Sequence, residues 1–459
     1  MILSAALAAV VYKGVFMNKK QFFPCAVVLC MLTGCSNTIS PDAELPEDSL
    51  SVMAEISEEA SPARTEAHSS ISSSSEVKAK ESETDVNPEP PEEAVLSVPE
   101  TVEIYEEITL SQLLADTNVQ LENEDALLDT SQIGSFDVTV SYTYENEHYT
   151  HTLPYTVADT TAPVVLNAGW GAYVEQGDAF DLNEHVGFAD NYDPAPFLSY
   201  SGSVDTNVCG TYPLTVYITD SSGNETSWEM SVEVVSEIPV PEDNNERISF
   251  DSFMEEYAEE NVRFGIDVST WQGDIDFEAV KNAGCSFVIM RIGHYYDEIT
   301  MDDWYISNME KARAAGLEVG VYIYTTANTE EEVRENARWI TEQLGGQALD
   351  FPVVFDWESF SNFQEFGMSI HDLNALFEVF AEEMEQSGYE TMLYSSKNFL
   401  NNFWYQQSDV PVWLAHYTDE TDYAGEYAMW QMSCFGRIDG IAGDVDLNIL
   451  YTDKELFIE

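Results

Sequence analysis

Basic residues are the scarcest feature of this 459-residue chain: 17 Lys and Arg stand against 84 Asp and Glu, a formal net charge of −67. Between Glu81 and Glu246 there is no Lys or Arg at all. Such a surface repels a phosphate backbone, which excludes nucleic-acid binding. Acidity on this scale suits a soluble extracellular protein. Cysteine is scarce too, six in all. Cys25 and Cys30 fall in an N-terminal apolar run and Cys35 just after it. Cys209, Cys285 and Cys434 remain, an odd number without C-x-x-C or zinc spacing. A complete disulfide framework is thereby excluded, and buried free thiols are expected. No cofactor or metal is expected. The N-terminal apolar run, residues 22–32, is short for spanning a bilayer.

What is present begins with a basic start, Met17-Asn-Lys-Lys20, ahead of that run. Leu32-Thr33-Gly34-Cys35 follows and resembles the bacterial lipobox. The resemblance implies cleavage before Cys35, lipidation of its thiol and display on the outer face of the cell membrane. Residues 1–16 sit oddly before a basic segment, so Met17 is a candidate start. Residues 36–93 are rich in Ser, Glu, Pro and Ala, with the run Ser72-Ser-Ser-Ser75. They read as a disordered, self-repelling tether. As a coil it spans roughly 40 Å, and fully stretched about 200 Å.

Residues 94–237 change to period-2 strands. Gly134-Ser-Phe-Asp-Val-Thr-Val140 aligns with Gly210-Thr-Tyr-Pro-Leu-Thr-Val216, an internal repeat. Each copy is followed by a polar turn and one more strand, which predicts two small β-sandwiches over residues 94–160 and 161–237. Asp159-Thr-Thr-Ala-Pro163 links them. The second copy resembles bacterial immunoglobulin-like modules through that entry, Asp190-Asn-Tyr-Asp193 and Thr219-Asp-Ser-Ser-Gly-Asn224. These modules read as spacers, with a surface ligand as the sharper alternative. Asp190 and Asp193 are residue types that bind calcium, but they are also ordinary turn residues.

Residues 238–262 form a linker with a short helix over 250–261. From residue 263 to 459 strands alternate with helices. Strands are predicted at 264–269, 287–293, 319–325, 352–358, 391–396, 412–417, 428–432 and 445–451. Helices are predicted at 301–315, 329–344 and 370–386, ended by Gly316, Gly345 and Gly388. Early helices and late bare strands suggest a compact, incomplete β/α barrel; an open doubly wound sheet is the alternative.

Phe351-Pro-Val-Val-Phe-Asp-Trp-Glu358 carries the chemistry. Two residues apart on a strand, Asp356 and Glu358 share a face. Adjacent carboxyls cannot ionise independently, so one holds its proton to higher pH. A proton-holding Glu beside an Asp suits acid-catalysed glycoside cleavage. Asp267 ends the first strand and Asp446 opens the last. Trp271, Tyr322, Tyr324, Trp357, Trp413, Tyr417 and Trp430 gather at the same strand ends, and acids with aromatic faces suit sugar binding.

These stretches resemble the glycoside hydrolase family 25 lysozymes. The match runs through Gly265-Ile-Asp-Val-Ser-Thr-Trp-Gln-Gly273, Phe287-Val-Ile-Met-Arg-Ile-Gly293, Gly320-Val-Tyr-Ile-Tyr324 and Phe355-Asp-Trp-Glu358. Trp413-Leu-Ala-His-Tyr417, Trp430-Gln431 and Val445-Asp-Leu-Asn448 complete it. The resemblance implies a (β/α)5β3 barrel that cleaves the β-1,4 bond from N-acetylmuramic acid to N-acetylglucosamine in peptidoglycan. It implies Glu358 as general acid and Asp356 as the acid that steers the substrate's 2-acetamido group. Asp267 and Asp446 become further pocket acids, and Tyr324 a donor to the acetamido group. Substrate assistance and direct displacement both stay open. Arg291-Ile-Gly-His294 departs from the family pattern and leaves the cleft floor undefined. Two other readings remain: a surface glycan-binding protein whose barrel does not cut, and a hydrolase of another N-acetylhexosamine polymer such as chitin.

Overall fold

The computed structural model describes residues 94–96, 101–114, 117–166, 171–240, 243–359, 363–405 and 410–454. The proposed signal with Cys35, and the tether, lie outside them. No helix among the described residues is long and apolar enough to cross a membrane.

The two repeats share one strand order. In the first, Val102–Glu103 runs parallel to Glu147–Ala158, which pairs antiparallel with Gly134–Tyr144, followed by Gln120–Leu121. In the second, Ala172–Glu175, Glu225–Val235, Gly210–Thr219 and Phe197–Gly202 repeat that order. A separate pair, Val164–Val165 with Phe188–Ala189, belongs to the second repeat. The first long hairpin turns at Glu145 and Asn146, both at positive φ (50° and 69°). Two left-handed residues in a two-residue loop match the twist of the flanking strands. The second hairpin needs a longer turn over residues 220–224, with Gly223 at φ 95°. Period-2 alternation gives each repeat its own apolar core, around Val140, Tyr142 and Val157 in one and Val216, Ile218 and Val232 in the other.

The C-terminal part is a barrel. Its strands are β1 (Val262–Val268), β2 (Phe287–Tyr295), β3 (Glu318–Thr325), β4 (Val353–Trp357), β5 (Thr391–Ser396), β6 (Val412–Ala415), β7 (Met429–Arg437) and β8 (Val445–Tyr451). Helices α1 (Phe277–Asn282), α2 (Tyr305–Ala314), α3 (Glu330–Leu344), α4 (Ile370–Gln386) and α5 (Lys397–Asn402) follow the first five strands in turn. Strands β1 to β7 pair in parallel succession. β8 is antiparallel to both β7 and β1 and closes the ring, which excludes the open sheet. Parallel strands covered by helices are buried on both faces, hence their near-continuous apolar runs. Val354 and Met392 point into the barrel core, while Phe355 and Leu393 pack under the helices. Gly265 is required where β1 meets β2, because a Cβ there would lie 2.4 Å from the Phe287 ring.

Local signals set the helix limits. Thr329 and Ser369 cap α3 and α4 through reciprocal boxes with Glu332 and Asp372, satisfying amides that helix starts leave unpaired. Gly345 ends α3 in the left-handed region at φ 56°. The expected helix over 301–315 begins later, at Tyr305, because Ile299–Met301 is taken up as a strand against β2.

The repeats are not loose beads. The N–H of Ile370, the first residue of α4, donates to the Asp190 carbonyl at 2.7 Å, and Gln364 Nε2 donates to the Phe188 carbonyl. The His371 ring stacks on Tyr105 of the first repeat, centroids 3.5 Å apart. One expectation needs correcting. Cys285 and Cys434 are buried, but Cys209 is exposed. It lies in the turn before Gly210–Thr219, outside the sheet's apolar face, with its thiol 3.5 Å from Gln176 Oε1.

Candidate active site

The acids meet because barrel strands end at one rim and side chains alternate along each strand. On β4, Val354 and Asp356 face inward and Phe355 and Trp357 outward; Glu358 just beyond the strand faces inward again. In register, Asp356 sits between Tyr324 on β3 and Tyr394 on β5, and Asp267 on β1 pairs with Asp446 on β8. Asp267, Asp356, Glu358 and Asp446 all line one open cleft.

Two amides organise the floor. Trp413 Nε1 can only donate, and it donates to Asn448 Oδ1 at 2.9 Å. That turns Asn448 Nδ2 towards Asp267 Oδ2, 2.8 Å away. Gln431 Oε1 accepts the hydroxyls of Tyr394 (2.9 Å) and Tyr417 (2.8 Å), which turns its Nε2 onto the same Asp267 oxygen at 2.9 Å. Asp267 therefore faces two fixed donors. Burial pushes its pKa up to about 6, while these two bonds pull it down.

Glu358 and Asp356 hold protons more firmly. Glu358 is raised to about 7, by burial first and then by Asp267. Asp356 lies well above the ordinary carboxylate range, through burial, then Glu358 and Asp267, with Arg291 opposing. Asp356 is only 6% exposed, and its Oδ1 has no hydrogen-bond partner. All three carboxyls are thus held above their ordinary range by burial and by one another.

Arg291 defines the floor that the sequence left open. Buried on β2 beside the cleft, its Nε and Nη2 reach Asp302 Oδ2 at 2.9 and 2.8 Å. Asp302 also accepts the amides of Thr270 and Trp304, tying the Trp271 loop to β2. Breaking a buried pair strands the remaining charge. Asp302→Ala is expected to destabilise the fold by about 3–5 kcal/mol, read from urea unfolding; a loss within experimental error would refute the pair's structural role.

Trp271, half exposed, stands at the mouth with Tyr417; Tyr322, Tyr324 and Trp413 line the walls. Two expected wall residues do not reach the cleft. Trp357 lies between inward-facing acids and so points outward, buried against Phe363 with Nε1 on the Ala327 carbonyl at 2.8 Å. Trp430 precedes inward-facing Gln431 and likewise points out, with Nε1 on the His416 carbonyl at 2.9 Å. Tyr394, Gln431, Asn448 and Arg291 were not assigned from sequence. A signal existed: each is polar or amphipathic at an inward position of an otherwise apolar strand.

Residues 266–441 match the model for glycosyl hydrolases family 25. The autolytic lysozyme of Clostridium acetobutylicum is 30% identical over 188 residues, covering 40% of this chain and 54% of the relative. The protein YegX of Escherichia coli O157:H7 is 30% identical over 200 residues, covering 42% of this chain and 71% of the relative. Among solved structures, the bacterial lysozyme from Streptomyces coelicolor is 26% identical, covering 40% of this chain and 90% of that one, with a TM-score of 0.36. The chain spans about half the length of the autolytic lysozyme.

Proposed function

The chain belongs to glycosyl hydrolases family 25, and from that membership we propose that it is an N-acetylmuramidase acting on the β-1,4 bond from N-acetylmuramic acid to N-acetylglucosamine in peptidoglycan. One observation carries the reading: four acids and an aromatic wall share a single cleft. Glu358, protonated up to about pH 7, gives its proton to the leaving oxygen. The 2-acetamido oxygen attacks the anomeric carbon from within the substrate, and Asp356 steers that group. Its unpartnered Oδ1 accepts the acetamido N–H. That donor favours the carboxylate form and releases the proton burial had held there. Asp267, fixed by Gln431 and Asn448, and Asp446 position sugar and water. Trp271 and Tyr417 offer stacking faces.

The same proposal takes the barrel as (β/α)5β3, since five strand–helix units precede three bare strands. It takes the two repeats as immunoglobulin-like spacers and Cys35 as a lipid anchor that holds the enzyme outside the cell membrane, facing the wall. Digestion of purified peptidoglycan, with mass spectrometry of the new chain ends, tests it. Reducing-end muramic acid is expected. Binding without release would favour the adhesion reading, and cleavage of chitin oligomers alone would favour the other polymer.

A further inference from the structure

A second cluster of acids lies away from the cleft, where both repeats meet the barrel. Asp159, Asp190 and Asp220 bring carboxylate oxygens within 4.8 Å of one another. Each comes from a different loop: after Glu147–Ala158, after Phe188–Ala189 and after Gly210–Thr219. All three are buried, at 5%, 0% and 6% exposure.

Their hydrogen bonds leave oxygens over. Asp190 Oδ1 accepts the amides of Tyr192 and Asp193 at 3.0 and 2.7 Å. Asp220 takes the backbone and side-chain N–H groups of Asn224, both at 2.8 Å. Asp159 Oδ1 accepts the amide of Thr161 at 3.3 Å. Asp190 Oδ2 is buried with no partner, and the remaining Asp159 oxygen has only the Ser222 side chain beside it. A buried carboxylate oxygen without a partner is costly, and three carboxylates this close repel. Proteins ordinarily answer with Lys or Arg, yet neither occurs from residue 81 to residue 246.

We propose that Asp159, Asp190 and Asp220 bind one divalent cation of the calcium class and thereby lock the two repeats to the barrel. An all-oxygen set of carboxylates from loops, without His or Cys, suits a hard cation, and calcium tolerates irregular loop geometry better than magnesium. The ion would act through Asp190. Its carboxylate belongs to the cluster, while its carbonyl accepts the first amide of α4. Asp159 brings in the first repeat, whose Tyr105 stacks on His371 one residue further along that helix.

The test uses the full chain stripped with EDTA. Calcium and magnesium are titrated separately by calorimetry, and thermal unfolding is followed with each. One calcium per chain is expected, with a dissociation constant on the order of 0.1–1 mM or tighter, as in extracellular modules. At about 10 mM calcium the melting temperature should rise by on the order of 5 °C. Asp159→Asn and Asp220→Asn should each weaken binding about tenfold or more. Neither heat nor a thermal shift in the wild type would overturn the proposal without recourse to any variant. Unchanged calcium binding in the Asp159→Asn/Asp220→Asn double variant would move the ion elsewhere and overturn it equally. Tighter binding of magnesium than calcium would overturn the choice of ion.

Discussion

Replacing Glu358 by Gln is expected to lower kcat on peptidoglycan by on the order of a thousandfold, with the fold intact. Gln keeps the size and polarity of the side chain but has no proton to give. With Glu358 as the proposed acid, kcat/KM should fall as pH rises through about 7, the value to which burial and Asp267 raise Glu358. Stability should move with pH in a related way. A carboxyl raised from 4.5 to about 7 on folding contributes stability that is full below about 4.5 and lost as pH rises through about 7. The difference amounts to about 3 kcal/mol at most. Wild-type melting temperature should therefore drop between pH 5 and pH 8, and Glu358→Gln should flatten part of that drop. Near-wild activity in a folded Glu358→Gln protein would remove Glu358 from the role of acid.

Asp356→Asn should cost on the order of a hundredfold or more in kcat, with a smaller change in KM. An Asn can still contact the acetamido group, but it cannot carry the charge that stabilises the developing positive centre. The substrate supplies an independent check. If the acetamido oxygen is the nucleophile, glycan strands de-N-acetylated at muramic acid should resist the wild-type enzyme. Cleavage of those strands at the ordinary rate would transfer the attack to water or to a protein group, and Asp356 would need another role.

Much of the barrel was legible because its signals are local. Gly388 ends α4, and the Ser369–Asp372 box at its start is a local signal of the same kind. The acids at the ends of β1, β4 and β8 could be read as sharing a rim because parallel strands bring their C-terminal ends together. Trp357 and Trp430 were misplaced where the same period-2 rule was not carried through. If Asp356 and Glu358 share a face, the Trp between them must take the other. Other features have no local signature. The Arg291–Asp302 pair, the two amides on Asp267 and the meeting of Asp159 with Asp190 and Asp220 all depend on tertiary pairing between distant segments. In the repeats, alternation revealed the strands but not the contact of their loops with the barrel.

That contact separates the unit of inheritance from the unit of folding. The family match ends within the barrel, at residues 266–441. Yet Ala189 of the second repeat belongs to the same apolar cluster as the residues beneath the barrel helices, and the Asp190 carbonyl accepts the first amide of α4, beside its Ser369 cap. A barrel released at residue 263 would expose that apolar surface and lose that acceptor on the segment leading away from Glu358. Recombination could exchange the repeats only for partners that restore both. The family match thus stops short of residues that pack against the barrel and bond to its helix α4 from outside it.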